Sequence, residues 1–211
     1  MLHISGNFFN KGGRELIRAF EILEKKYDVE LFMIVDAPVH SRSRFKDWLK
    51  EYDGKPNIHL ITKRVSRKLL SEKYFSDADI FVLPSYVDTF AYTLLEAMAH
   101  DLPLVGTDVF ALPEIIDDGQ NGFVIHSPLS TFNSNYVHTP ELVSDFYRRI
   151  SLEPSSPVIV KLVEKISLLI DDTSLRRNMS TKSSELVRSG KFSIAEQNRK
   201  LTHIYENALH K

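Results

Sequence analysis

Apolar positions along the first two thirds of the chain alternate between two patterns. Short runs dense in Val, Ile, Leu and Phe read as strands at Leu2–Gly6, Val29–Ala37, Asn57–Val65, Asp79–Ser85, Leu102–Val109 and Gly122–Ser127. Several are continuous rather than alternating, as expected of strands buried on both faces. Between them the spacing becomes helical. Gly13–Tyr27 carries Leu16, Ile17, Phe20 and Leu23 on one face. Arg42–Tyr52 reads as a short helix stopped by Asp53-Gly54, and Ser66 as the N-cap of the next helix. A further helix is expected over about Phe90–His100, and a short one around Pro113–Asp117. Strand and helix alternating in this way predict a parallel sheet with helices on both faces. Crossovers in such sheets are right-handed, so the expected class is α/β, a Rossmann-like doubly wound layer.

The rhythm breaks at 128–156, a stretch rich in Ser, Asn and Pro that reads as an irregular surface excursion holding one short helix. From 157 onward the pattern is helical to the end. One domain is expected over 1–211, with a C-terminal helical extension. The length of 211 residues and the 43% hydrophobic content suit that reading. The chain enters a strand at once, as a domain cut from a longer chain would.

Charge narrows the function. Lys and Arg number 27 against 28 Asp and Glu, a net charge of −1, so nothing favours nucleic acid as a partner. There is no cysteine, which excludes disulfides and thiolate metal sites and fits a reducing compartment. The eight histidines are scattered without a metal-binding spacing, and no metal or other cofactor is expected. No apolar run approaches the roughly 20 residues of a membrane span. The expected location is the cytoplasm, at most peripheral to the inner face of a membrane.

Ligands of doubly wound sheets bind beyond the carboxyl ends of the strands. The turn after the first strand, "SGNFFNKGG", offers Lys11 and Gly12 just before a helix. An ammonium and free backbone N–H groups there suit a phosphate, although the alternative is a plain turn with an exposed lysine. The other candidates are Asp88, just before the helix that follows the fourth strand, and Glu96 within it. Eight helical residues rise roughly 12 Å. That spacing, or a little less, suits the ribose and hexose ends of a nucleotide diphosphate-sugar. Carboxylates accept paired hydroxyl hydrogen bonds well. Singly, each has a structural alternative: a helix cap for Asp88, helped by Thr89, and a salt bridge or exposed position for Glu96.

The stretch "LPSYVDTFAYTLLEAMAHDLPLVGTDVFALPEIIDDGQNGFVI" resembles the signature region of the retaining glycosyltransferases of family 4, whose fold is the two-domain GT-B architecture. "NKGGRELIRAFEIL" and "FSIAEQNRKLTHIYENAL" resemble further segments of that family. The likeness runs from Ile4 to the C-terminus, and 128–156 is its unmatched part. It implies the C-terminal, donor-binding half of a hexosyltransferase. Such an enzyme moves a hexose from UDP- or GDP-hexose to a glycan or lipid acceptor with retention. Little activity is expected without an acceptor-binding N-terminal domain. By position Lys11 would neutralise the diphosphate, Asp88 hold the transferred sugar and Glu96 the ribose. The backbone of Phe90, Ala91, Tyr92 and Thr93 would contact sugar and phosphate, and the base would rest on the turn at Arg64, Val65 and Ser66. Enzymes of this kind stabilise the leaving diphosphate with protein cations and helix dipoles, without a metal.

The chain also departs from the pattern. Asp88 stands for a glutamate. Thr89, Ala91, Asp101, Phe110 and Ala111 stand for glycines. The family's phosphate-binding arginine falls at Gly6 or Asn7. These departures keep an alternative open: a module that binds nucleotide-sugar or glycan without turnover and works with a separate acceptor domain.

Overall fold

A computed structural model describes residues 1–37, 41–132, 138–152 and 154–209. Its strands are β1 (Leu2–Ser5), β2 (Leu31–Val35), β3 (Ile58–Ile61), β4 (Phe81–Leu83), β5 (Leu104–Thr107) and β6 (Gly122–Ile125). They form one sheet in the order β3-β2-β1-β4-β5-β6, with every pairing parallel. This is the Rossmann order expected of the alternating pattern.

The helices are α1 (Gly13–Leu23), α2 (Arg42–Tyr52), α3 (Arg67–Leu69), α4 (Tyr92–Ala99), α5 (Leu112–Ile115), α6 (Pro140–Ser151), α7 (Ser156–Asp171), α8 (Thr173–Arg188) and α9 (Ile194–Leu209). Ser66 caps α3 as expected, its Oγ accepting from Leu69 N at 3.2 Å. Beyond α3 the chain does not continue as an α-helix but widens into a π-helix over Leu70–Phe75. Phe75 at its end is buried and stacks on His100, with ring centroids 5.2 Å apart.

Helices on both faces divide the core in two. On one face α1, α2, α6 and α7 pack with Leu31, Met33, Val35, Val82 and Val105 of the sheet. On the other, α4 and α5 pack with Leu2, Phe81, Leu83 and Leu104. Val82 and Val105 thus point opposite to their strand neighbours, which is the period-two alternation of a strand buried on both sides.

The strands are shorter than their apolar runs, and pairing explains why. Asn57–Val65 reads as a strand, yet β3 ends at Ile61, the last residue to find a partner on β2. Asp79–Ser85 contracts to three residues, since Pro84 has no N–H to give a ladder. Only one pair of residues, Leu2 and Phe81, joins β1 to β4. Beyond it the two central strands separate.

The stretch at 128–156 reads as surface, but Leu129, Phe146 and Ile150 are core residues. Positions 133–137 and 153 lie outside the described residues. Arg14 and Glu15, polar in the α1 pattern, are buried and hold this excursion down. The Arg14 guanidinium donates to the Ile150 and Leu152 carbonyls at the end of α6, and Glu15 accepts from Ser155 N at 3.2 Å. None of the described residues of α9 is buried, and Leu201, Ile204, Tyr205 and Leu209 form an exposed apolar face on it. Among the described residues, no helix is long and apolar enough to cross a membrane.

Candidate functional site

The chain changes direction in the sheet between β1 and β4. Their loops leave toward opposite faces and open a crevice at the carboxyl ends, where ligands of this fold bind. The loop after β1 winds tightly: Lys11 N donates to Asn7 O at 3.0 Å, and Gly13 N to Phe8 O at 2.8 Å. Gly12 takes the left-handed conformation with φ 67°, and a Cβ there would sit 2.2 Å from the Pro84 carbonyl oxygen. Only glycine lets this loop press against the end of β4. Tyr86 N then donates to Asn10 O at 2.8 Å and locks the two loops together.

This close approach brings Lys11 and Asp88 into contact. Lys11 Nζ lies 2.6 Å from Asp88 Oδ2 and donates to the Val87 carbonyl at 2.5 Å. The other carboxylate oxygen, Asp88 Oδ1, accepts from Ala91 N at 3.0 Å. Asp88 therefore also braces the turn into α4, as its structural alternative anticipated. Ala91 stands at the N-cap in the left-handed region with φ 55°. Phe90 and Tyr92 face each other with ring centroids 5.0 Å apart, and Tyr92 is exposed.

Glu96 is the fifth residue of α4, so only four of the eight steps from Asp88 are helical, a rise of about 6 Å. It is partly exposed and lies 3.5 Å from Arg67 Nη1, at the start of α3. The pair lines a cavity of ≈250 Å³ together with Leu70, Phe75 and His100. Arg64, Val65 and Ser66 immediately precede Arg67 on the turn after β3, with Arg64 and Ser66 exposed. The predicted residues thus gather in two groups: Lys11, Gly12 and Asp88 before α4, and Glu96 with the β3–α3 turn further along it.

Arg67 was not anticipated, because its partner lies 29 residues away. His3 was missed for another reason: it sits inside an apolar strand. It is fully buried, with Nδ1 2.9 Å from the Val82 carbonyl and Nε2 2.9 Å from Ser5 Oγ. The carbonyl can only accept, so Nδ1 carries the proton and Nε2 accepts from the hydroxyl. Burial above all, and then the nearby Lys11 charge, lowers its pKa to about 4, against the backbone hydrogen bond. The imidazole fills the seam where β1 and β4 part. Tyr86 is likewise buried, and desolvation followed by the Glu15 charge raises its hydroxyl pKa.

A further cavity of ≈510 Å³ opens beside Tyr86 at the ends of β5 and β6. One of ≈400 Å³ lies at the opposite end of the sheet, around Met1, Asp28 and Asp79, and holds none of the expected site residues. Among the described residues, no group of three or more His, Asp or Glu side chains is placed to hold a metal ion.

The family described as glycosyl transferases group 1 matches residues 1–133, the segment that carries both site loops and all six strands. The chain belongs to this family. Among curated relatives, the capsular polysaccharide biosynthesis glycosyltransferase CapM of Staphylococcus aureus is 26% identical over 185 residues, covering 87% of this chain and 40% of that protein. A D-inositol 3-phosphate glycosyltransferase of Paenarthrobacter aurescens is 32% identical over 126 residues, 56% of this chain and 30% of that protein. The chain spans 40, 34 and 39% of the length of three such relatives.

Solved structures agree on the fold. The C-terminal domain of a glycosyl transferase group 1 family protein, LpcC of Francisella tularensis, superposes with a TM-score of 0.68 at 24% identity, covering 92% of this chain and 86% of that one. Anabaena Alr3699/HepE, solved in complex with UDP and glucose, gives 0.69 at 16% identity, covering 97% of this chain and 47% of that one. The group 1 domain described here therefore has the Rossmann-like fold of GT-B glycosyltransferase domains, as expected.

Proposed function

We propose that this domain binds a nucleotide diphosphate-sugar and supplies the donor half of a retaining hexosyltransferase. The observation that carries the reading is the meeting of Lys11 and Asp88 at the crevice between β1 and β4. One cation for a diphosphate and one carboxylate for sugar hydroxyls stand side by side at the mouth of a parallel sheet. Glu96 would hold the ribose, with the base on the backbone of Arg64, Val65 and Ser66. The complex of HepE with UDP and glucose supports a donor of this kind.

In this reading the bond from the sugar's anomeric carbon to the diphosphate breaks as the acceptor oxygen bonds on the same face. The acceptor's proton passes to a phosphate oxygen. Lys11 and the N–H groups at the start of α4 stabilise the leaving diphosphate, and Asp88 orients the hexose. No metal is needed for these roles. The acceptor, a glycan or lipid, would be held mainly by an N-terminal domain. The exposed apolar face of α9 supports such a partner. The domain by itself would bind donor weakly and transfer little, because an open cleft leaves the charge contacts in water. The place of action would be the cytoplasm, at or beside the inner face of a membrane.

One feature favours the alternative of binding without turnover. No cation occupies the expected position of a second phosphate-binding group: Gly6 is exposed, and Asn7 accepts from Asn10 N at 3.4 Å.

Calorimetric titration of the 211-residue chain with UDP-, GDP- and ADP-sugars tests the proposal. One base should bind in preference to the others. If none binds, the donor-site reading is wrong. Binding without transfer, in a chain joined to an acceptor domain, would favour the second reading.

A further inference from the structure

Phe110, which stands where the pattern read from the sequence has glycine, meets in space the stretch at 128–156 that breaks the strand–helix rhythm. Phe110 keeps the glycine's left-handed backbone, with φ 50°, although a bulky side chain disfavours it. Its ring stays 45% exposed and meets Phe132, from the excursion, edge to face with centroids 5.8 Å apart. Phe132 also meets His138 edge to face, with ring centroids 5.1 Å apart. Phe110 and Phe132 line the ≈510 Å³ cavity, together with Tyr86, Asp108, His126 and Thr131.

We propose that this cavity is a pyranose-binding subsite. Resting on the donor reading above, we assign it to a sugar of the acceptor. A pyranose ring has an apolar face and a rim of hydroxyls, and the cavity offers a surface for each. Phe110 presents an aromatic platform. Asp108 presents a carboxylate whose orientation is fixed, with Oδ1 accepting from Ser127 N at 2.7 Å and Oδ2 from His126 Nδ1 at 2.6 Å. Two of roughly four lone-pair positions are thereby used, and the rest are free to accept from sugar hydroxyls. Thr131 adds a hydroxyl that donates and accepts. The volume lies within the range of small-ligand sites.

Position favours the acceptor over the donor. The cavity lies over β5 and β6, on the side of β4 away from the first loop. Tyr86, on its wall, is two residues from Asp88, a span of at most about 7 Å. A sugar seated there would adjoin the hexose that Asp88 is proposed to hold without sharing its place.

The test uses the ¹⁵N-labelled 211-residue chain, titrated with methyl glycosides of glucose, mannose, galactose and N-acetylglucosamine, alone and after saturation with UDP or UDP-glucose. At least one glycoside should shift the amides of Asp108, Phe110, His126 and Phe132, with UDP and UDP-glucose leaving that response in place. Phe110→Gly restores the pattern residue, relieves the left-handed backbone strain and removes the platform. It should weaken the glycoside response at least fivefold and leave UDP binding unchanged. Phe132→Ala should weaken it as well. No glycoside response at these amides, or full binding by Phe110→Gly, overturns the subsite. Competition by UDP-glucose but not UDP overturns the acceptor assignment, since the donor's own sugar then fills the cavity. Glycoside binding without any nucleotide binding upholds the subsite and overturns the donor reading.

Discussion

Lys11 Nζ and Asp88 Oδ2 are 2.6 Å apart, and their side chains are only 20% and 10% exposed. A cation proposed for a diphosphate is therefore held by a carboxylate until ligand arrives. Lys11→Met removes the charge and should weaken UDP binding roughly tenfold to a hundredfold, the worth of one charge-assisted hydrogen bond. It also leaves Asp88 without its ion pair, at a cost to stability of about 1–3 kcal/mol. Asp88→Asn should behave differently. It keeps an oxygen for Ala91 N–H, releases Lys11, and leaves UDP affinity unchanged or tighter. Calorimetry on both variants checks this, and equal weakening by both would show that the lysine needs the carboxylate to hold it in place.

Glu96 admits a sharper separation. Its partner Arg67 is 94% exposed and 3.5 Å away, the kind of surface pair worth about 0–1 kcal/mol. Glu96→Gln should therefore change the melting temperature little. If Glu96 holds ribose, UDP affinity should fall by roughly tenfold to a hundredfold. Arg67→Ala is the control: it breaks the same pair and should leave the affinity within a few fold. A variant Glu96→Gln that melts lower but binds UDP normally would reduce Glu96 to a surface ion pair.

The architecture was legible because continuous apolar runs such as Val29–Ala37 alternate with helical spacing, the pattern of parallel strands covered by helices on both faces. Strand-end loops then named Lys11 and Asp88 as neighbours of one crevice. Their direct contact was not legible, since it depends on Gly12 pressing against Pro84, 72 positions on. The same holds for Arg14. Its place in the α1 pattern is polar, but the end of α6 arrives from 138 residues away to cover it. Strand ends were overestimated wherever an apolar run outlasts its partner, as at Asn57–Val65.

Of the five residues that stand for glycines in the family pattern, three keep a left-handed backbone, while Ala111 takes φ −81° and Thr89 has no positive φ. Among the described residues, the non-glycine residues with positive φ are Ala91, Asp101 and Phe110, at 55°, 59° and 50°. Each stands where the pattern has glycine. The left-handed region costs an ordinary residue about 1–2 kcal/mol, and glycine costs about 0.5–1 kcal/mol in chain entropy. Asp101 is the clean test, because it is exposed and its contact with Arg188 is a loose surface pair. Asp101→Gly should raise stability by up to about 1 kcal/mol, or about 2–4 °C in Tm for a chain of this size. Chemical denaturation should agree. A loss of stability would mean that the aspartate side chain contributes more to the end of α4 than its exposure implies.

His3 links the core to the site through pH. Its pKa falls from 6.5 to about 4 in the folded chain, mainly through burial and then through the Lys11 charge. The unfolded chain therefore binds a proton between pH 6.5 and about 4 that the folded chain refuses. Stability from this group is full above pH 6.5, declines as pH falls through that window, and changes no further below about 4. The drop corresponds to about 3 kcal/mol. His3→Asn keeps a donor for the Val82 carbonyl and cannot titrate, so its stability should fall less steeply than that of the parent over the same window. Carboxylates titrate there too, but they are common to both chains and cancel in the difference. The ring can also be followed directly by NMR. Its resonances should stay those of the neutral form, protonated at Nδ1, down to about pH 4, and Lys11→Met should move the midpoint upward by removing a neighbouring positive charge. A midpoint near 6.5, or parallel stability curves for the two chains, would mean that the imidazole reaches water and does not seal the seam between β1 and β4.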